Sequence, residues 1–213
     1  MEVKLISYPL NAEKLCGEAA AICTAYPDTD KALRGALSSG HESVIEHASF
    51  TFRVEGVSRV LLAQLTRHRI ASFSVESQRY VENSGQTPVV PPSIAANPKM
   101  AAEYEKLIGR AAMFYEDCLN EGIPAEDARY GFLQGGRTKL MMTMNARELK
   151  HFFSLRTCNR AQWEIRELAD EMLRQVSIVA PGLFKKAGCA CMQGKPCPEG
   201  KRSCGHPRTR EEA

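Results

Sequence analysis

The chain has a single tryptophan in 213 residues, and aromatic side chains make up only 7% of it. Binders of single-stranded nucleic acid stack bases on several aromatic platforms, so this scarcity counts against that class. No run of about 18 apolar residues occurs, which leaves no candidate for a membrane-spanning helix. The opening Met1-Glu2-Val3-Lys4-Leu5 lacks a leader pattern, and the expected location is cytoplasmic. Neither Gly-x-Gly-x-x-Gly nor Gly-x4-Gly-Lys-Ser/Thr is present, so a bound nucleotide would not rest on either loop. His41 and His47 are six apart, whereas a zinc-protease helix needs a spacing of four. That segment reads as a turn, and no metal ligand is assigned in the body.

What is present is ordinary in bulk and uneven in place. The apolar and charged fractions, 44% and 25%, are those of a globular protein long enough to bury a core without staples. The net charge of +3 hides a division. Residues 185–213 carry seven Lys/Arg against three Glu, while the remaining 184 residues carry 21 basic and 22 acidic side chains. A near-neutral body is not a general polyanion binder. The expected organisation is a body over 1–184 and a basic, cysteine-rich tail over 185–213. Of eight cysteines, Cys16, Cys23, Cys118 and Cys158 are scattered, and Cys189, Cys191, Cys197 and Cys204 crowd the tail with His206. Three readings of the tail stay open: zinc ligation, a redox pair, or a solvated segment with free thiols.

Periodicity predicts a mixture of strands and long helices, α/β or α+β. A strand is expected over Val3–Ser7, and helices over Asn11–Ala25 and from Asp30 to a stop at Gly40. Residues 48–55 alternate cleanly, with Ala48, Phe50, Phe52 and Val54 on one side, as in a half-buried strand. A helix from Ser58 to about Arg69 would place Gln64 and Arg67 one turn apart on one face. Residues 82–98, with Gly85 and four prolines, read as a long loop. Asn97-Pro98 opens a helix to about Asn120, and Pro124 opens a short one carrying Arg129. Thr138–Met144 reads as a strand, and Asn145-x-x-Glu148 resembles a capping box for a helix bearing Arg147, His151 and Arg156. A last helix carries the stripe Ile165, Leu168, Met172 and Val176.

The most informative stretch is Arg67 to Tyr80. It holds three arginines, one histidine and three serines against Glu76, interleaved with Ile70, Ala71, Phe73 and Val75. Guanidinium forks and short hydroxyls suit an anion or nucleotide. Arg67-His68-Arg69, seven residues, then Ser77 resembles the signature of the flavin-dependent thymidylate synthases, the ThyX class. His41-Glu42-Ser43 with Glu46-His47, Phe50-Thr51-Phe52, Ala128-Arg129, Asn145-Ala146-Arg147, Ser154-Leu155-Arg156 and Ala161-Gln162-Trp163-Glu164 follow in that family's order.

The resemblance implies a single compact α/β domain with a mixed sheet and long helices, assembled as a homotetramer with active sites at subunit interfaces. It implies reductive methylation of dUMP to dTMP, with FAD bound and with 5,10-methylenetetrahydrofolate and NADPH as cosubstrates. It places dUMP against Gln64, Leu65, Thr66, Arg67, Val75, Glu76, Ser77, Gln78, Arg79, Arg129 and Arg156. It places FAD against Ser43 of a neighbouring subunit, Arg67, His68, Arg69, Val75, Asn145, Ala146, Arg147 and His151. Arg156 is implied as the catalytic cation, stabilising charge on the pyrimidine. His151 stands where some members carry Asn. The alternative is a basic nucleic-acid-binding module with a cysteine-rich tail, which would need a broad positive face.

Overall fold

The computed structural model describes residues 1–81 and 88–212. Chain order is β1 (Glu2–Ser7), α1 (Ala12–Thr24), α2 (Thr29–Ser38), a 3-10 turn (Glu42–His47), β2 (Ser49–Ser58), α3 (Arg59–Leu65) and β3 (Ala71–Val75). It continues through α4 (Pro92–Ala95), α5 (Pro98–Asn120), α6 (Ala125–Ala128), β4 (Arg137–Asn145), α7 (Ala146–Arg156), α8 (Trp163–Val179) and α9 (Pro181–Phe184). Short 3-10 turns follow to Glu212. Of the loop expected over 82–98, residues 82–87 lie outside the described residues, and Pro92–Ala95 forms a turn of helix.

The four strands pair in the order β1-β2-β4-β3. All three pairings are antiparallel, so the architecture is α+β, and the expected mixed sheet is corrected to an antiparallel one. Alternation decides its faces. Phe50, Phe52 and Val54 on β2 and Leu140, Met142 and Met144 on β4 turn into the core. The other face is polar, where Thr51 and Thr143 share a hydroxyl bond of 2.9 Å across the pair. The apolar stripe of α8 is wholly buried against this core, with Leu149, Phe152 and Phe153 of α7 beside it. Gly17 lets α1 meet α2 closely, since a Cβ there would stand 2.8 Å from the Thr29 carbonyl oxygen.

The helix starts follow their caps. Asp28, Ser58, Asn97, Asn145 and Gln162 each accept a main-chain N–H of the first turn. Asn11 occupies the cap position of α1 without such a bond. Glu164 has a second role. Its buried carboxylate accepts the Ser58 N–H at 2.7 Å and the Ser58 hydroxyl at 2.5 Å, fastening the start of α3 to the start of α8. Gln162 and Glu164 of the Ala161–Glu164 motif are therefore fold determinants.

The helix expected to reach Arg69 ends at Leu65. Thr66 turns its hydroxyl back onto the Leu62 carbonyl, and the Arg67 and His68 N–H groups close tighter turns onto Gln64 and Leu65. This winding buries His68 and exposes Arg67 and Arg69 on either side. It also removes the shared helical face expected for Gln64 and Arg67.

The segment after residue 184 packs on the body. Ala187 and Cys189 are buried, the Cys189 N–H donates to the Thr157 hydroxyl at 2.8 Å, and Arg210 reaches the Phe184 carbonyl at 2.7 Å. The reading of this segment as solvated gives way to a strap held by named bonds.

Candidate functional site

The Arg67–Tyr80 stretch runs from the end of α3 through β3 to a turn beyond it. Five strand residues span roughly 16 Å, so its two ends form separate clusters. No hydrogen bond or ion pair joins them among the described residues.

The first cluster is built on His68, which is 5% exposed. Its Nδ1 faces a Glu148 carboxylate oxygen at 3.0 Å. Its Nε2 accepts the Arg156 Nε–H at 3.2 Å. Because arginine only donates, Nε2 must be the bare nitrogen, and the proton on Nδ1 is given to Glu148. The result is a carboxylate–imidazole–guanidinium chain linking the α3 exit to both ends of α7. Burial lowers the His68 pKa below 6.5; the Glu148 bond opposes this and the Arg156 charge reinforces it. Burial likewise lowers that of Arg156. Phe152 packs edge-on to the imidazole at 5.0 Å between ring centres, and His151 stands 5.9 Å away.

Glu148 was legible only as the fourth member of a capping box. Asn145 does accept the Glu148 N–H at 2.9 Å, but the Glu148 side chain turns to His68. One ligand atom each from His68, Glu148 and His151 lie within 4.8 Å of one another, a spacing a cation could use. However, both His68 nitrogens are engaged, and a cation there would have to displace the Arg156 guanidinium.

Beside this chain opens a cleft of about 1150 Å³. Asn145, Arg147 and His151 line it with Ile70, and so do Lys150, Lys185, Lys186, Lys195 and Arg210. Arg147 is held by Glu46 at 2.5 Å, and Lys150 pairs with Glu42, so the 42–47 turn forms part of the wall. The strap residues in this lining were missed by sequence reasoning. Their only signal was the local excess of positive charge.

The second cluster lies beyond β3. Arg79 pairs with the Glu126 carboxylate at 2.6 Å, and Arg129 donates to the Glu126 carbonyl at 2.9 Å. Arg59 holds the Glu76 carbonyl at 3.0 Å, while the Glu76 carboxylate pairs with Lys139 at 3.0 Å. The Ser77 hydroxyl accepts the Arg79 N–H at 3.2 Å. Burial lowers the Arg59 pKa, with Glu76 opposing and Arg129 adding to the effect. Three guanidinium groups around two carboxylates are suited to a phosphate dianion.

The remaining positions divide by burial. Leu65 and Ala146 are fully buried, so only their backbones can face a ligand. Val75 and Gln78 are half-buried, Gln64 is half-buried on α3, and Thr66 caps that helix. Ser43 is exposed on the 3-10 turn and is not among the cleft's lining residues. Arg67 and Arg69 are exposed, and their side chains make no hydrogen bond or ion pair among the described residues.

The family described as "Thy1: Thymidylate synthase complementing protein" matches residues 4–182. A protein of Geobacter sulfurreducens named flavin-dependent thymidylate synthase is 46% identical, over 96% of this chain and 94% of its own. One of Clostridium tetani with the same name is 42% identical, over 96% and 93%. Among solved structures, a UMP/dUMP methylase, PolB, from Streptomyces cacaoi bound with 5-Br dUMP superposes with a TM-score of 0.77. It is 26% identical, over 86% of this chain and 93% of its own. The family match spans both clusters and the fold that positions them, and the chain belongs to the flavin-dependent thymidylate synthases.

Proposed function

We propose that the chain methylates dUMP to dTMP, with FAD as its flavin, 5,10-methylenetetrahydrofolate as carbon donor and NADPH as reductant. The observation that carries this is the Glu148–His68–Arg156 chain at the edge of a cation-lined cleft.

FAD fits the cleft on two grounds. Its volume exceeds the roughly 300–1,000 Å³ of common small-molecule sites, as an extended dinucleotide requires. Its lysine and arginine lining suits a pyrophosphate. Arg67, Arg69, Asn145, Arg147 and His151 would hold the group, with His68 lying behind them and engaged with Glu148 and Arg156, Ser43 arriving from another subunit and the backbones of Val75 and Ala146 completing the shell. When bound, the flavin supplies hydride chemistry that amino-acid side chains cannot.

The protein's own residues do the rest. Ser77, Arg79 and Arg129 take the dUMP phosphate, helped by Gln78 and Glu76. Gln64, Leu65 and Thr66 present the α3 terminus to the nucleotide. Arg156 places a fixed cation at the pyrimidine edge where negative charge develops. His68 holds the Arg156 Nε, leaving the two terminal nitrogens to face the ring, and Glu148 fixes the His68 tautomer that makes this possible. Glu148 is thus a positioning residue. The Arg156 cation has a lowered pKa yet stays charged, as arginine does.

The two clusters, separated in one subunit, would meet across subunits of a homotetramer in the cytoplasm. Supporting this, the 23-residue α5 buries only Tyr115 and Cys118 and leaves Met113 64% and Phe114 52% exposed. Apolar surface of that kind is normally covered by a partner. No described helix is long and apolar enough to cross a membrane. The test is anaerobic turnover of purified chain with FAD, NADPH, methylenetetrahydrofolate and dUMP. Formation of dTMP is expected, and a flavin-loaded preparation that makes none overturns the reading.

A further inference from the structure

The thiols form a gathering that the methylation site does not use. α7 ends at Arg156, and Cys158 follows in the turn between α7 and α8. Four tail segments are fastened to that turn. The Cys189 N–H donates to the Thr157 hydroxyl at 2.8 Å. The Arg208 guanidinium donates to the Thr157 carbonyl at 2.8 Å and to both Asp170 carboxylate oxygens at 2.9 and 3.0 Å. Asn159 donates to the His206 carbonyl at 2.8 Å, and Arg160 to the Arg202 carbonyl at 2.5 Å. Cys204 sits between those last two anchors and bonds the His206 main chain through its sulfur.

Cys158, Cys189 and Cys197 all lie within electrostatic reach of the Cys191 sulfur, which also takes the Arg208 main-chain N–H. None of these cysteines is in a disulfide. Residues drawn from positions 158 and 189–204 thus converge on one place although the described residues of the strap form no α-helix or strand beyond α9.

Ordering such a segment costs backbone entropy at every residue. Its apolar burial is slight, chiefly Ala187 and Cys189. Binding a metal is one way in which such a segment gains free energy toward its ordered state.

We propose that these thiolates, with Cys158 as the ligand from the body and the others from the strap, hold a thiophilic metal centre. Its occupant is zinc or an iron–sulfur cluster, both of which take four cysteine thiolates. Outside the His68 set, no three candidate ligand atoms among the described residues lie within 4.8 Å of one another. A single zinc would therefore draw the sulfurs inward as it binds. A multi-iron cluster, whose thiolates sit on different iron atoms, accommodates a wider spacing. The site joins the strap to the C-terminal end of α7, and so fixes Lys185, Lys186 and Lys195 in the wall of the cleft.

The experiment is metal and sulfide analysis of the full chain purified without oxygen from medium supplied with iron and zinc. The expected result is about one zinc or about four irons with matching sulfide per chain. Cys158→Ser should lower the metal content at least fivefold, and Cys23→Ser should leave it unchanged. If Cys158→Ser does not fold, the native chain still decides. A thiol-blocking mercurial added with a chromogenic chelator should release the metal. A chain carrying less than about a tenth of an equivalent of any metal, with its strap thiols freely alkylated, overturns the proposal. So does recovery of those thiols as disulfides.

Discussion

The two ends of the Arg67–Tyr80 stretch differ in a way that composition does not reveal. At the His68 end the buried imidazole has both nitrogens committed inside the fold, Nδ1 to Glu148 and Nε2 to the Arg156 guanidinium, with Phe152 edge-on to its ring. At the Ser77 end the Arg79–Glu126 pair is half-exposed to solvent, beside a Glu76 carboxylate that is buried and paired with Lys139. A buried network holds its geometry before any ligand arrives, whereas an exposed ion pair contributes little and yields readily to a better anion. The first end is suited to electrostatic work that must be preorganised. The second is suited to capturing a phosphate, with Arg79 exchanging Glu126 for the ligand.

The comparison is broken or sharpened by substitution, beginning with the largest effect. Arg156→Ala should lower kcat for dTMP formation by about 10²–10³-fold, the usual cost of removing one preorganised charge stabiliser. Flavin absorbance of the purified variant should remain. Loss of flavin from a folded Arg156→Ala protein would place that guanidinium on the other ligand.

Glu164→Ala separates fold from site. It leaves the buried Ser58 N–H and hydroxyl without their acceptor, at a cost of about 3 kcal/mol, or roughly 6–12 °C in Tm for a chain of this size. Calorimetry checks this, and an unchanged melting point would show that the α3–α8 fastening contributes nothing.

Glu148→Gln should retain the Nδ1–H bond but lose its charge, lowering kcat about tenfold with KM for dUMP little changed. The pH profile is the more diagnostic readout. The pKa of His68 in the folded chain lies below its ordinary 6.5, so at mildly acid pH the unfolded chain binds a proton that the folded one does not. Stability therefore rises with pH between the folded and unfolded values, and falls as pH drops through that window. Once His68 is protonated, Nε2 no longer accepts from Arg156, so activity should fall on the same acid side. Glu148→Gln removes the charge that favours the imidazolium, so its acid limb should shift to lower pH. A limb that stays in place would mean that another group sets it.

Arg79→Ala and Ser77→Ala should raise KM for dUMP about tenfold each, near 1.4 kcal/mol for one charge-assisted bond, with kcat retained. Glu126→Ala is the smallest change. It should alter stability by less than about 0.5 kcal/mol and leave dUMP binding equal or slightly tighter, as titration calorimetry can show.

Much of this was readable from residues. Alternation over 48–55 and 138–144 gave β2 and β4, and Asn97-Pro98 and Asn145 opened α5 and α7 where their capping chemistry requires. Elsewhere local reasoning erred. The 58–69 helix was overextended because Thr66, Arg67 and His68 are all acceptable in helices, and only the burial of His68 against α7 ends α3 early. β3 went unassigned although Ala71, Phe73 and Val75 alternate with Ser72 and Ser74 and pack on the core; an alternation of five residues inside a run of arginines and serines is a short signal. Glu148 read as a cap because its spacing from Asn145 fits one, and nothing local points to a histidine 80 positions away.

By itself the sequence determined the α+β class, the strand faces, the helix caps and the supply of arginines, because those follow from short-range geometry and from which side chains avoid water. Only the tertiary structure decided which arginine is held by a buried imidazole and which waits in solvent. It alone brought the strap back onto α7 and into the cleft wall. Those outcomes depend on contacts between residues tens of positions apart, whose energies exist only once the sheet and α8 have fixed where each segment lies.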